Sequence, residues 1–342
     1  MRYLKFSLIL VFVVLCSNGF SQYKLVRDGF INDNAEEKAC HASTIVELSK
    51  SRLMAAWFAG EYESNPKVCI WVSTFEKNVW KKPQKVADGI FEGKQYACWN
   101  PVLFKNKQGK LFLFYKVGVN PREWWGMMKT SLNDGKTWSK AEKLPNDMLG
   151  SIRNKSIQLS SGEVLHPSST ESVKGEIWKS HLEISDSNVK NWQKIEIDCG
   201  EFGVIQPSIL VHKGEILQML LRSKQNKIIQ SWSIDKGKTW GRLTPTNLPN
   251  PNSGIDAVTL KDGSFILIYN PLIAGKEWSN GRNILKVAHS KDGINWTDIY
   301  ELENEKQGEF SYPAVIQTSD GLIHITYTFD RKKIKHVVLK TK

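Results

Sequence analysis

Several short stretches carry residue types suited to gripping a sugar. "YACWNPVLF" and "YKVGVNPREWWGMM" place Trp99, Asn100, Lys116, Arg122, Trp124 and Trp125 near strand ends or in loops. Exposed tryptophans stack on sugar faces, although buried ones serve equally well as core. "SIRNKSIQL" and the following "LHPSSTE" add Arg153, Lys155 and His166. The turn-rich "LPNPNSGIDAVTL" adds Asn252 and Asp256 in a loop between strands, a usual place for ligand contacts. Lys335 and His336 either reach the same centre or face solvent. The chain has no phosphate-cradling glycine loop, no metal-ligand spacing and no Gly-x-Ser-x-Gly elbow, so no cofactor and no metal are expected.

The elements that must position these residues read as strands. "LFLFYKVG", "EILQMLLRS", "SFILIYN" and "LIHITYTF" are rich in β-branched and aromatic residues and bounded by turns such as "QGK", "KGE", "KDGS" and "SDG". No helical periodicity of useful length competes with them. A repeat punctuates the strands. "SLNDGKTW" at 131–138 and "SIDKGKTW" at 233–240 are nearly the same turn, and degraded copies run from Ser73 to Trp80, Ser185 to Trp192 and Ser290 to Trp296. The tryptophans fall roughly every fifty to sixty residues, a period that marks a repeat architecture. In such a turn the Asp or Asn bonds backbone N–H groups ahead of it, Gly takes the positive-φ corner, and Trp packs back between neighbouring sheets.

Ser-x-Asp-x-Gly-x-Thr-Trp resembles the Asp-box of sialidases and their propeller relatives. Five marked blades, with "GLIHITYTFDRKKIKHVV" closing on the N-terminal strand, predict an all-β six-bladed β-propeller in a single domain over 22–342. In that family three arginines grip the substrate carboxylate, a Tyr–Glu pair forms the covalent intermediate, and an Asp is the acid/base. By the resemblance, Arg222 in "LLRSKQ" corresponds to the second arginine, Arg282 in "GRNILKVAHSKDG" to the third, and Tyr312 in "EFSYPAVIQTSDG" to the nucleophile. The chain departs from the pattern at two places: His41 in "CHASTIVEL" stands for the first arginine, and Gln206 in "VIQPSIL" for the glutamate. Glu61 and Glu63 in "FAGEYESNP" are the nearest candidates for the acid/base loop.

Glutamine cannot accept the proton of a tyrosine, so the replacements point to other chemistry. Histidine titrates near neutrality, and a tyrosine beside arginines can exchange a proton. A His–Tyr pair beside an arginine-neutralised carboxylate suits removal of the proton alpha to that carboxylate. On a uronic acid this leads to β-elimination of the C4 substituent, with arginine stabilising the enolate-like charge. Polysaccharide lyases on related propellers use His and Tyr in this way. His41, Tyr312, Arg222 and Arg282 are therefore expected to be catalytic. Gln206, Glu61, Asn100, Lys116, Arg122, Trp124, Arg153 and Asp256 are expected to touch an acidic oligosaccharide or polysaccharide. An exo-acting sialidase-like hydrolase and a non-catalytic glycan-binding propeller are the alternatives.

The first residues, "MRYLK" followed by "FSLILVFVVL" and "CSNGFSQ", have the layout of a secretory signal peptide over 1–21. The apolar run is short for a membrane span, so a periplasmic or secreted protein is expected, without membrane insertion of the mature chain. The net charge of +12 fits an anionic ligand or simply a lysine-rich surface. With no basic helix or basic run, nucleic acid is not an expected partner. Cys40, Cys69, Cys98 and Cys199 allow three pairings if oxidised, and none is favoured.

Overall fold

The computed structural model describes residues 23–33, 36–277 and 279–341. The expected signal peptide lies outside them. Six antiparallel sheets, each built on a four-strand path, follow one another along the chain and form the predicted propeller. The innermost strands of blades 1 to 6 are Ala39–Ser49, Ala97–Lys105, Ile157–Gln158, Val204–Val211, Asp256–Thr259 and Phe310–Gln317. Strands sandwiched between blades are buried on both faces, as Leu111–Gly118 shows by being buried at every residue.

Blade 6 takes its outer strand from the other end of the chain. Tyr23–Phe30 pairs antiparallel with Lys333–Thr341, from Tyr23 opposite Thr341 to Phe30 opposite Lys335. The ring is thus closed by backbone hydrogen bonds between the two ends of the described chain.

The repeated turns join the third and fourth strands of their blades. In blade 4 the Ser233 hydroxyl accepts from Gly237 N at 2.8 Å, and Asp235 accepts from Thr239 N at 2.9 Å. Trp240 Nε1 donates to Gly237 O at 3.1 Å, and its ring packs on the apolar clusters of blades 3 and 4. Gly237 needs its φ of 87°, and a Cβ there would stand 2.8 Å from Leu182 of blade 3. The shortened copy closes in the same way, with Trp296 Nε1 on Gly293 O. Between Ser185 and Trp192 the capping carboxylate is Asp186, one position early, accepting from Asn188 N and Lys190 N. The stretch from Ser73 to Trp80 is not such a turn: Phe75 pairs with Trp80 and Glu76 with Val79, leaving a two-residue hairpin. Lys77 and Asn78, at φ 52° and 61°, form it, as a primed turn requires.

Four innermost strands share an irregularity that matters for the site. Their ladders shift register around Ala42–Ser43, Asn100–Pro101, Gln206–Pro207 and Tyr312–Pro313. The first residue of each pair is left-handed, with φ of 54°, 37°, 56° and 52°. Three are followed by proline, which has no N–H and fits a bulge where no ladder bond is made. Such a conformation costs a side-chain-bearing residue of order 1–3 kcal/mol and re-aims its side chain out of the pleat.

Candidate active site at the mouth of the propeller

The bulges bring Gln206 of blade 4 and Tyr312 of blade 6 onto the guanidinium of Arg222. Arg222 is the next-to-last residue of Leu217–Ser223, where that strand reaches the mouth. Its Nη1 donates to the Tyr312 hydroxyl at 2.8 Å and to Gln206 Oε1 at 3.2 Å. Its Nε donates to Asn252 Oδ1 at 3.0 Å, and Nη2 to the Asn252 carbonyl. Arg282, from the long loop before Ile284–Ser290, reaches the same Asn252 carbonyl at 3.3 Å and pairs with Glu309 at 3.1 Å. The structure therefore brings Arg222, Arg282, Tyr312, Gln206 and Asn252 together.

His41 lies against this group, its ring centroid 4.1 Å from that of Tyr312. The His41 side chain is buried, at 3% exposure, and Nδ1 has no hydrogen-bond partner among the described residues. Of the pair, only Tyr312 is partly exposed. Burial, with Arg331, Arg282, Arg153 and Arg222 nearby, holds the His41 imidazole well below its ordinary pKa, so it is neutral at physiological pH. Burial pushes the Tyr312 phenol up, but Arg222, Arg282 and a hydrogen bond with Gln206 together outweigh it and leave the pKa lowered. The phenol is thus more acidic than an ordinary tyrosine.

Two members were not found in the sequence. Arg331, in the turn before Lys333–Thr341, donates from Nε to Glu309 at 2.8 Å and from Nη1 to Glu63. Glu309 is thus shared between Arg282 and Arg331. Its carboxyl is held below the usual range because the arginines and Ser311 outweigh the effect of burial, itself the largest single influence. Arg331 sits among other charged residues in "FDRKKIK", where no motif or spacing singles it out, and only the fold shows its partners. Arg153 is buried, with its guanidinium 5.1 Å from the Tyr312 ring centroid and a bond to the Ile255 carbonyl at 3.3 Å. The four guanidiniums of Arg222, Arg282, Arg331 and Arg153 outnumber Glu309 and Glu63, the carboxylates paired with them, so the mouth favours an anion.

Other expected contact residues fall elsewhere. Asp256 is buried and consumed by structure: it takes Lys155 Nζ at 2.8 Å, the Ser208 hydroxyl at 2.9 Å and Val315 N at 2.8 Å, tying blades 3 to 6 together. Lys116 is fully buried and donates to the Ser151 carbonyl, with burial pushing its ammonium down to about 7. Neither side chain is presented to a ligand, correcting the expectation for both. Glu61 is exposed and pairs with exposed Lys38 at 3.2 Å, whereas Glu63 is the glutamate that joins the site, through Arg331. Asn100 is buried in its bulge and Trp99 bonds the Gly118 carbonyl at 3.0 Å. His166 lies in a buried chain with Ser156 and Ser185. Lys335 pairs with Glu303 and Asp28, and His336 bonds Trp80 and His324, so neither reaches the centre. Arg122 and Trp124 lie in a groove between blades 2 and 3. Among the described residues Cys40, Cys69, Cys98 and Cys199 are free thiols. Among the described residues no cluster could hold a metal ion, and no helix is long and apolar enough to cross a membrane.

Fold and site together define a sialidase-type propeller with an arginine-rich mouth. The chain belongs to the BNR repeat-like domain family, whose model matches residues 51–325. Among solved structures, a protein of unknown function from Dyadobacter fermentans superposes with a TM-score of 0.75 at 15% identity, covering 94% of this chain and 100% of that one. The NanB sialidase of Streptococcus pneumoniae follows at 0.70 and 14%, covering 93% and 70%. The intramolecular trans-sialidase of Ruminococcus gnavus, solved with oseltamivir carboxylate, gives 0.69 and 15%, covering 91% and 96%. At such identities the likeness is one of fold. No curated protein matches the chain.

Proposed function

We propose that this protein is an exported enzyme that breaks acidic glycans by β-elimination at a uronate unit. The observation that carries this reading is the environment of the Tyr312 hydroxyl, which is held by Arg222 and Gln206 where a covalent mechanism would need a carboxylate to take its proton. Glu309 and Glu63, the nearby carboxylates, are tied to Arg282 and Arg331.

In this reading Arg222 and Arg282 hold the uronate carboxylate, an arrangement suited to guanidinium geometry. Pairing with the arginines acidifies the C5–H. The Tyr312 phenolate takes that proton, and the electron pair moves onto the carboxylate, where the arginines stabilise it. It then returns as the C4–C5 double bond while the C4–O bond breaks. The new Tyr312 hydroxyl gives its proton to the departing oxygen, so proton and electrons balance with no water consumed. His41 packs against the tyrosine ring and, being neutral, adds no charge that would compete for the substrate carboxylate.

A second reading, sialidase-like hydrolysis, is favoured by the fold shared with NanB and the Ruminococcus gnavus enzyme. Mass spectrometry of uronate oligosaccharides before and after incubation separates the two. Fragments that sum to the substrate identify elimination; fragments that sum to the substrate plus one water identify hydrolysis and overturn the proposal. An intact chain lighter by one water identifies elimination of a C4 hydroxyl.

A further inference from the structure

Beside the mouth, between blades 2 and 3, runs a groove of about 500 Å³, within the range of small-ligand pockets. Arg122, Trp124, Trp125, Asp147, Glu171 and Lys194 line it. Arg122 is exposed, and the two tryptophans are half-buried on a well-packed floor. Trp124 lies 6.0 Å from Trp99, and Trp125 lies 5.1 Å from Tyr96 and 5.0 Å from Phe91 between ring centroids.

The groove adjoins the arginine site through Glu171 and its cross-strand partner Trp178. Burial pushes the Glu171 carboxyl up, against the pull of Arg222, Arg122 and Lys224, so it lies within electrostatic reach of an arginine on either side. Arg222 also stands 5.6 Å from the Trp178 ring centroid, and Lys224 4.6 Å. Half-exposed indoles beside the exposed Arg122, whose guanidinium lies over Gly175, match a sugar ring bearing an acidic group: the rings offer flat apolar faces and the arginine a planar anion partner.

We infer that this groove is a subsite for the sugar units that continue from the one held at Arg222 and Tyr312, so that the enzyme is built for oligosaccharides and not for single sugars. The inference rests on the function proposed above. Continuity with the site and the paired aromatic and cationic lining commit the groove to the same glycan.

Titration calorimetry on the full chain tests it in a Tyr312→Phe background, which keeps the substrate intact. The probes are glucuronic and galacturonic acid and tetrasaccharides containing them. A tetrasaccharide is expected to bind about tenfold or more tighter than the free acid, a difference of one decade in Kd. Arg122→Glu and Trp124→Ala should each reduce that ratio to within about threefold of unity. If Trp124→Ala fails to fold, Arg122→Glu, on an exposed loop, still decides. A tetrasaccharide no tighter than the free acid, or a ratio that survives Arg122→Glu, overturns the subsite while leaving the central site intact. Failure of every acidic sugar to bind, the free acids included, overturns the reading of the central site and the subsite with it.

Discussion

The Arg222 guanidinium of blade 4 donates to the Tyr312 hydroxyl of blade 6 at 2.8 Å, joining two blades that are not neighbours in the ring. That bond couples the charge of one blade to the acidity of a phenol in another. Under the elimination proposed above, it would make the arginine both a ligand for substrate and a control on the base.

Replacing Tyr312 with Phe should leave the fold intact and lower elimination by about 10²–10⁴-fold, the span of a positioned general base. The ultraviolet absorbance of an unsaturated uronate product measures it. Retention of more than a tenth of the activity would remove Tyr312 from the chemistry.

The pH profile follows from the same bond. Because the proposed elimination needs Tyr312 deprotonated, kcat/KM should rise with pH through a midpoint below the ordinary phenol value of about 10. Arg222→Met removes the strongest of the charges that lower the phenol, so the midpoint should move up, in addition to a rise in KM from lost carboxylate binding. An unmoved midpoint would mean that another group sets the profile.

The two glutamates of the "GEYES" loop should behave differently. Glu61→Gln, on an exposed pair with Lys38, is expected to change activity by less than about twofold, since surface pairs contribute at most ~1 kcal/mol. Glu63→Gln loosens Arg331 beside Glu309 and His41 and should raise KM by several-fold. Complete loss on Glu61→Gln would instead support an acid-catalysed hydrolase.

Asp256→Ala should destabilise the protein by roughly 3–5 kcal/mol, because it leaves a poorly exposed Lys155 without its carboxylate and strips an acceptor from Ser208 and Val315 N. Urea unfolding of the variant measures this. A loss under 1 kcal/mol would show that the ring does not depend on that pair.

Acid should weaken the fold through its histidines. His166 is pushed down to about 3 and His324 to about 4 by burial, and His41 and His336 are also held well below their ordinary value. Below about 6.5 the unfolded chain takes up protons that the native fold refuses, so stability must fall as pH falls. The urea midpoint should therefore be nearly level above pH ~7 and decline steadily from about 6.5 to 4. A midpoint unchanged between pH 7 and 5 would contradict the burial of these rings.

The fold was legible because its punctuation is local: Ser233, Asp235, Gly237 and Trp240 bond one another within eight residues, so their letters show in any window of that length. The copy at Ser73 misled because Ser and Trp kept their spacing while Lys77 and Asn78 formed a different, shorter turn. Arg222, Arg282 and Tyr312 could be placed through their blade positions. Arg331 and Glu309 could not, since each becomes informative only beside the other. Asp256 and Lys116 were misread for a related reason. A charged residue at a strand end looks like a ligand contact until the partners that bury it are known, and those partners come from other blades or from distant turns.

The pairing of Tyr23–Phe30 with Lys333–Thr341 that completes blade 6 would also set when the proposed enzyme could first act. Tyr312 belongs to the last blade and His41 to the first, so their rings meet across the seam that this strand fastens. A nascent or shortened chain lacking Lys333–Thr341 would have arginines in blades 4 and 5 but no finished pocket for them to serve. Activity would thus report whether the circle has been joined, and a partly made molecule would be chemically silent.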